Sequence, residues 1–312
     1  LYRIPAKYSP AVGRTPPGAR AVARYHALMK AISHHNLPSL AVLSFRGSDA
    51  LRFLHAQLTA DVAALAAGEA RLAAWCNAQG RVLAVPWLVG GDDRVLAVLP
   101  RELAADVADG LRRYVLRAKV SVSDESGTLS VAGIVGTADV PVAAGAVAAR
   151  LPGDRALLIG PPAAVAAACA GLQAGDEAAW WAMAIRRGEP VVTLATRGAW
   201  IPQMLNLDLV GAVSFAKGCY PGQEIVARAH HLGRVKRRMA RYRIEGKGLP
   251  APGAALLDDG VKVAELVVAA GGDPPEALAV VELEALGRPL ADERGARRFV
   301  PAPLPYPVPG SA

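Results

Sequence analysis

The order in which apolar periodicities change between residues 40 and 123 restricts this chain more than any other feature. Residues 40–45 (L-A-V-L-S-F) read as a strand, Gly47-Ser48-Asp49 as a turn and helix cap, and Leu51, Leu54 and Leu58 as one helical stripe. Leu72, Ala74 and Cys76 then alternate with Ala73 and Trp75, and Ala78-Gln79-Gly80 turns the chain into a run at 81–89, which predicts a hairpin. Residues 94–99 give another strand. Pro100 suits a first helical position, and Leu103, Val107, Leu111 and Tyr114 recur at helical spacing before a strand at 119–123. The order β-α-β-β-β-α-β is a split βαβ arrangement with one added strand.

The middle third has strand-like runs at 129–135 and 156–159 and a helix at 161–173. Asp176 caps a further helix over 177–187, ended by Gly188. Trp180 and Trp181 lie within it, with core packing as their default role. Beyond Arg237 the pattern turns to β, with runs at 239–244, 254–257, 261–268 and 278–283 separated by Gly, Pro and Asp turns. That predicts a small antiparallel barrel. A chain of 312 residues is long for one core, so two domains or three are expected. The expected division is an extended segment over 1–38, an α+β domain over 39–125, a second over 126–235, and a barrel over 236–312 whose proline-rich end runs extended. Interleaving of the two α+β domains is the alternative.

Cys76, Cys169 and Cys219 are far apart and odd in number, which argues against a disulfide framework and for a reducing, cytoplasmic setting. Neither a C-x-x-C nor an H-E-x-x-H pattern occurs, so a resident zinc or iron-sulfur cluster has little support. No apolar run reaches the ~18 residues of a membrane span. The formal charge is +8, and much of the excess sits at 230–238, H-H-L-G-R-V-K-R-R. This run reads either as a solvated basic strand or as a patch that meets phosphates through Arg234, Lys236, Arg237 and Arg238. It has no interleaved aromatic ring for base stacking.

Residues 217–224, K-G-C-Y-P-G-Q-E, follow a strand-like run at 212–215 and precede a helix that begins at Pro221 or Gly222. Glycines admit φ > 0 and proline suits a first helical position. Cys219 is thus expected just ahead of a helix N-terminus with Lys217 nearby, two influences that favour a thiolate. Glu224 opposes them, and its i,i+4 partner Arg228 is placed to neutralise it. An inert cysteine in a structural turn is the equal alternative, since His230 and His231 lie turns downstream and face elsewhere.

The same stretch, preceded by Ile201-Pro202-Gln203, Asn206, Gly211 and Ser214-Phe215 and followed by Val226-Ala227-Arg228-Ala229, closely resembles the YgfZ family of folate-binding proteins, relatives of the glycine-cleavage T-protein. Weaker echoes at 58–62, at 76–80 and at 304–306 extend the resemblance over most of the chain. It implies an α+β, T-protein-like ring of three domains, with ferredoxin-like split βαβ units and a C-terminal barrel. It further implies tetrahydrofolate binding and support of iron-sulfur client proteins and, through them, of tRNA modification. Cys219, Lys217 and Tyr220 take the functional positions, supported by Gly218, Gly222, Gln223, Glu224 and Arg228. Trp180, Arg186, Gln203 and Asn77 take the cofactor positions.

Two departures stand out. T-proteins carry an acidic pair shortly after the N-x-x-G turn, and here residues 81–86 are R-V-L-A-V-P. Glycine-cleavage transfer is therefore not expected. The competing reading is a C1 transferase on another acceptor with Asp61, Asp208 or Glu224 as its carboxylate, and direct tRNA binding is the third. Relatives also hold the pterin edge with a glutamate in I-E-x-G, where this chain has Ile185-Arg186-Arg187-Gly188 and a Glu189 out of register.

Overall fold

The computed structural model describes residues 32–309 apart from 138, 139, 141, 143, 232 and 234. The expected extended segment at 1–31 and Arg234 lie outside these residues. Three units are present, and the chain weaves between the first two. The first has an antiparallel sheet of order β3-β6-β7-β2-β8, built from β2 (Leu40–Arg46), β3 (Ala70–Leu72), β6 (Trp87–Gly90), β7 (Arg94–Pro100) and β8 (Ser121–Asp124). Helices α1 (Ala50–Gln57) and α2 (Ala104–Arg112) cover it, burying Ala50, Phe53 and Leu54, and Val107 and Leu111. A hairpin, β4 (Trp75–Cys76) with β5 (Val82–Ala84), stands apart from the sheet.

The second sheet has the order β10-β11-β9-β1-β12, with β1 (Ser33–Asn36), β9 (Ser130–Val135), β10 (Val147–Leu151), β11 (Arg155–Gly160) and β12 (Gln173–Gly175). Its helices are α3 (Pro162–Cys169) and α4 (Glu177–Arg186). Residues 33–36 thus form a strand of the second sheet, although 1–38 is expected to precede both domains. A closed barrel follows, β13-β16-β15-β14-β17-β18, from β13 (Arg237–Gly246), β14 (Ala255–Asp258), β15 (Val261–Ala270), β16 (Glu276–Glu282), β17 (Leu290–Asp292) and β18 (Arg297–Ala302). The strand period of two divides its side chains. Ala277, Ala279 and Val281 fill the barrel with Tyr242 and Phe299, while Leu278 and Val280 face outward into the core of the first unit.

Several local expectations change. The run at 81–89 is broken into β5 and β6 around Pro86, which has no N–H to give a ladder. The helix at 161–173 stops at Cys169; Gly171 takes φ +82°, and Gln173–Gly175 pairs in parallel with β1. Asp176 caps α4 by accepting the Ala179 N–H at 2.7 Å, but Asp49 at the start of α1 instead accepts the Lys119 N–H at 2.7 Å. Tyr114 falls beyond the end of α2 and is 50% exposed. Residues 199–226 do not stay with the second unit. Trp200, Leu205, Leu207, Ala212 and Val226 sit in the core of the first.

Candidate functional site

Residues 212–215 are not a strand, because loop partners take their backbone groups. The Thr59 hydroxyl donates to the Ala212 carbonyl at 2.6 Å, and the Ser214 N–H donates to the Thr59 carbonyl at 2.9 Å. Lys217, 9% exposed, then reaches into the C-terminal end of α1, where its ammonium donates to the carbonyls of His55, Leu58 (2.6 Å) and Ala60 (3.1 Å). Carbonyls at a helix end lack intrahelical partners and welcome a cation. Burial lowers the Lys217 ammonium to about 8, with Asp61 opposing. Its charge is therefore engaged by backbone carbonyls. Tyr220 is the second anchor, buried with its ring 5.2 Å from the Lys217 Nζ, and burial, with Cys76 nearby, raises its hydroxyl.

Between these anchors Gly218 and Cys219 are exposed. Cys76 and Cys169 are buried, and burial pushes the Cys76 thiol up to about 12. Helix α5 (Gln223–His231) begins just after the turn. At its start Gly222 has φ +80°, and a Cβ there would meet the Asn77 carbonyl oxygen at 2.4 Å and the Gly80 Cα at 2.6 Å. The 76–80 turn and the cysteine turn thus touch backbone to backbone. Asn77 commits its side-chain oxygen to that turn, accepting the N–H groups of Gln79 (3.0 Å) and Arg81 (2.9 Å). Gln203 is fully buried and donates to the Val226 carbonyl at 2.6 Å. Both hold the turn's surroundings, whereas the resemblance gives them cofactor positions. Glu224 and Arg228 are exposed, and no ion pair joins them among the described residues. His230 returns to the motif's upstream flank by stacking on Phe215, centroids 3.8 Å apart.

A cleft of about 410 Å³ opens where the units meet, lined by Arg71, Trp87, Arg187, Glu189, Gly211 and Tyr306 among others. Leu72, Trp87 and Glu189 also line a narrow pocket of about 40 Å³ that reaches Trp180 and Trp181. Cys219 lines neither. Gly188, at φ +66°, reverses the chain after α4, and the Glu189 N–H bonds back to the Ala184 carbonyl at 3.0 Å. This turn brings Glu189 to the cleft wall. Arg186 points the other way and joins Arg241 on the buried Glu276, at 3.0 Å and 3.1 Å. Glu189 pairs with Arg155 and lies 3.5 Å from Arg187. Burial raises its carboxyl, and the two arginines oppose that. Arg155 is 2% exposed, lies 5.2 Å over the Trp180 ring, and leaves Nη1 without a partner. Trp180 is both core and pocket wall, packed so closely on Gly133 that a Cβ there would lie 2.3 Å from its ring.

No family model matches the sequence. The tRNA-modifying protein YgfZ of Sodalis glossinidius (strain morsitans) is 33% identical over 241 residues, which cover 70% of this chain and 73% of that protein. The chain belongs to the YgfZ family. The YgfZ protein of Edwardsiella ictaluri (strain 93-146) is 32% identical over 233 residues, 67% of this chain and 70% of its own. Among solved structures, the glycine cleavage system aminomethyltransferase T from Bartonella henselae aligns with a TM-score of 0.67 at 15% identity, over 93% of this chain and 89% of that one. The chain therefore has the T-protein fold.

The remaining charged candidates are differently occupied. Asp208 is half-buried and holds the buried Arg238 through two bonds, 2.7 Å and 3.0 Å, which engage the charges of both side chains. Arg237 pairs with Glu282 at 2.8 Å, while Lys236 is exposed. Asp61 lies 3.2 Å from His55 at the end of α1. No group of three His, Cys, Asp or Glu side chains among the described residues is placed to hold a metal. No described helix is long and apolar enough to cross a membrane. Sequence reasoning missed Arg71, Trp87 and the inward turn of Glu189. Only Gly188, whose φ lets the chain reverse, signalled the last of these.

Proposed function

We propose that this chain is a folate-binding accessory protein that supports iron-sulfur enzymes and, through them, tRNA modification, and that it does not perform the aminomethyl transfer of glycine cleavage. The observation that carries this reading is Glu189, a buried carboxylate on the wall of a cleft that also has Trp87 and two arginines. A folate offers a flat heterocycle rich in N–H donors and an anionic tail. Both arginine contacts to Glu189 fall on Oε1, so it is suited to accept N–H bonds from such an edge through Oε2, while Trp87 offers an aromatic surface and Arg71 and Arg187 favour the tail carboxylates. The cleft volume falls within the ~300 to 1,000 Å³ usual for small-molecule sites. On this reading the acceptor missing at Arg186 is supplied three positions later by a turn.

Where T-proteins carry their acidic pair, Arg81 donates to the Ala199 carbonyl at 2.8 Å, and Val82, Ala84 and Val85 are buried and apolar. No carboxylate at 81–86 can relay a proton, a loss of ~10²- to 10⁴-fold in general acid–base help. The exposed Cys219, held between two anchors, suits transient handling of a cluster, a sulfur species or a C1 adduct.

Calorimetry with tetrahydrofolate tests the ligand. Glu189→Gln should weaken binding by about 10-fold or more, since a hydrogen bond to a charged group is worth ~1.5 to 3 kcal/mol. Arg186→Ala should leave it unchanged. Absence of heat and of thermal protection for the wild type at millimolar ligand would remove folate from the account. Cys219→Ala should keep the ligand but lose support of cluster-dependent enzymes, and full complementation by that variant would refute the role of the thiol.

A further inference from the structure

In the basic run at 230–238, Arg238 is buried on Asp208 and Arg237 is paired with Glu282, while Lys236 is exposed. A different basic cluster is open. Residues 112–119, R-R-Y-V-L-R-A-K, leave α2 in a tight turn in which the N–H groups of Tyr114 and Val115 bond to the carbonyls of Leu111 and Arg112, each at 3.0 Å. Val115, Ala118 and Val120 pack against the first core. That inward pull turns the intervening side chains out. Tyr114 is 50% exposed and Leu116 85%, with Arg113, Arg117 and Lys119 exposed around them.

Arg52 of α1 adjoins the cluster, because Asp49 both accepts the Lys119 N–H at 2.7 Å and pairs with Arg52 at 3.0 Å. On α2, Asp109 is taken by Arg112 at 2.7 Å. Arg113 and Arg117 have no ion pair among the described residues. One exposed leucine means little by itself. An exposed ring and a leucine two residues apart, framed by guanidinium groups without an ion pair among the described residues on a hydrogen-bonded turn, form a surface with a composition of its own.

We propose that this turn is a docking surface for single-stranded RNA, with an unstacked base on the Tyr114 ring, apolar contact at Leu116, and phosphates at Arg113, Arg117 and Lys119. The unbalanced cations select a polyanion, and the ring supplies the stacking surface that 230–238 lacks. Bases inside an A-form duplex are not open to such a ring, so the partner presents unpaired nucleotides. Because the turn is already held by its own hydrogen bonds and by Val115, little ordering cost is left for binding. Two side chains on a turn are a small apolar face for a lipid surface, which amphipathic helices meet with a long one. This surface is separate from the cleft and stands whether or not folate binds there.

The test is fluorescence anisotropy of the purified chain with a short unstructured oligoribonucleotide and with unfractionated tRNA, across a salt series. Tyr114→Ala should weaken binding by about 10-fold, the usual effect of losing one stacked base. Arg113→Glu with Arg117→Glu should flatten the dependence of log K on log salt by about 1.4, at ~0.7 per phosphate contact. Lys236→Ala with Arg237→Ala should change little. All these side chains are exposed, so unchanged thermal midpoints will show that the variants fold. Absence of RNA binding at low salt overturns the proposal. So does binding that ignores the turn variants but is lost with Lys236 and Arg237, or Tyr114-dependent binding to phosphatidylglycerol vesicles without binding to RNA.

Discussion

Lys217 and Tyr220 point inward while the two residues between them face solvent, and this arrangement sets the chemistry available at Cys219. The thiol owes its accessibility to the lysine's bonds with the end of α1, which hold the turn at the surface. Iodoacetamide at neutral pH is accordingly expected to label Cys219 in the native chain and to spare Cys76 and Cys169 until the protein is unfolded. Peptide mass mapping decides it, and native labelling of Cys76 would contradict the burial that raises its thiol to about 12. The glycine-bracketed cysteine ahead of a helix was legible from residues 217–224. The direction of the lysine was not, because its acceptors lie up to 162 residues away in the chain.

At the scale of elements, the hairpin turn at 76–80 and the start of α5 are in contact, and Gly222 is the point of contact. Gly222→Ala combines a positive φ with a Cβ inside the contact distance of backbone atoms. It should cost about 2 kcal/mol or more, within the range for strained backbone positions. Gly218→Ala is the internal control, since a Cβ there meets nothing within 4 Å. It should stay within about 0.5 kcal/mol, as surface substitutions do. Urea midpoints compare the two, and equal losses would mean that the turns are not in tight contact. Strands and helices with regular periods were legible here, including α1, α4, β7 and the long barrel strands. Residues 212–215 misled because burial against Thr59 gives an apolar run the composition of a strand without a ladder.

Across the whole molecule, Arg238 and Asp208 tie the first strand of the barrel to the segment that carries the cysteine turn. Removing one partner of a buried pair strands the other charge, so Arg238→Met should destabilise by about 3 kcal/mol, whereas the same change at Arg237 should be nearly silent. Chemical denaturation separates the two neighbours, and similar effects would show that the buried pair is not a joint between units. The sequence by itself determined the α+β class, the barrel, the family and the composition of the cysteine turn, because period, turn chemistry and motif are written in residues close together along the chain. Only the tertiary structure decided which of Arg237 and Arg238 is buried, that Glu189 and not Arg186 meets the cleft, and that residues 199–226 return to the first core. Each of these depends on a partner distant in sequence, 30 residues away for Arg238 and 34 for Glu189, and on the burial that their meeting creates.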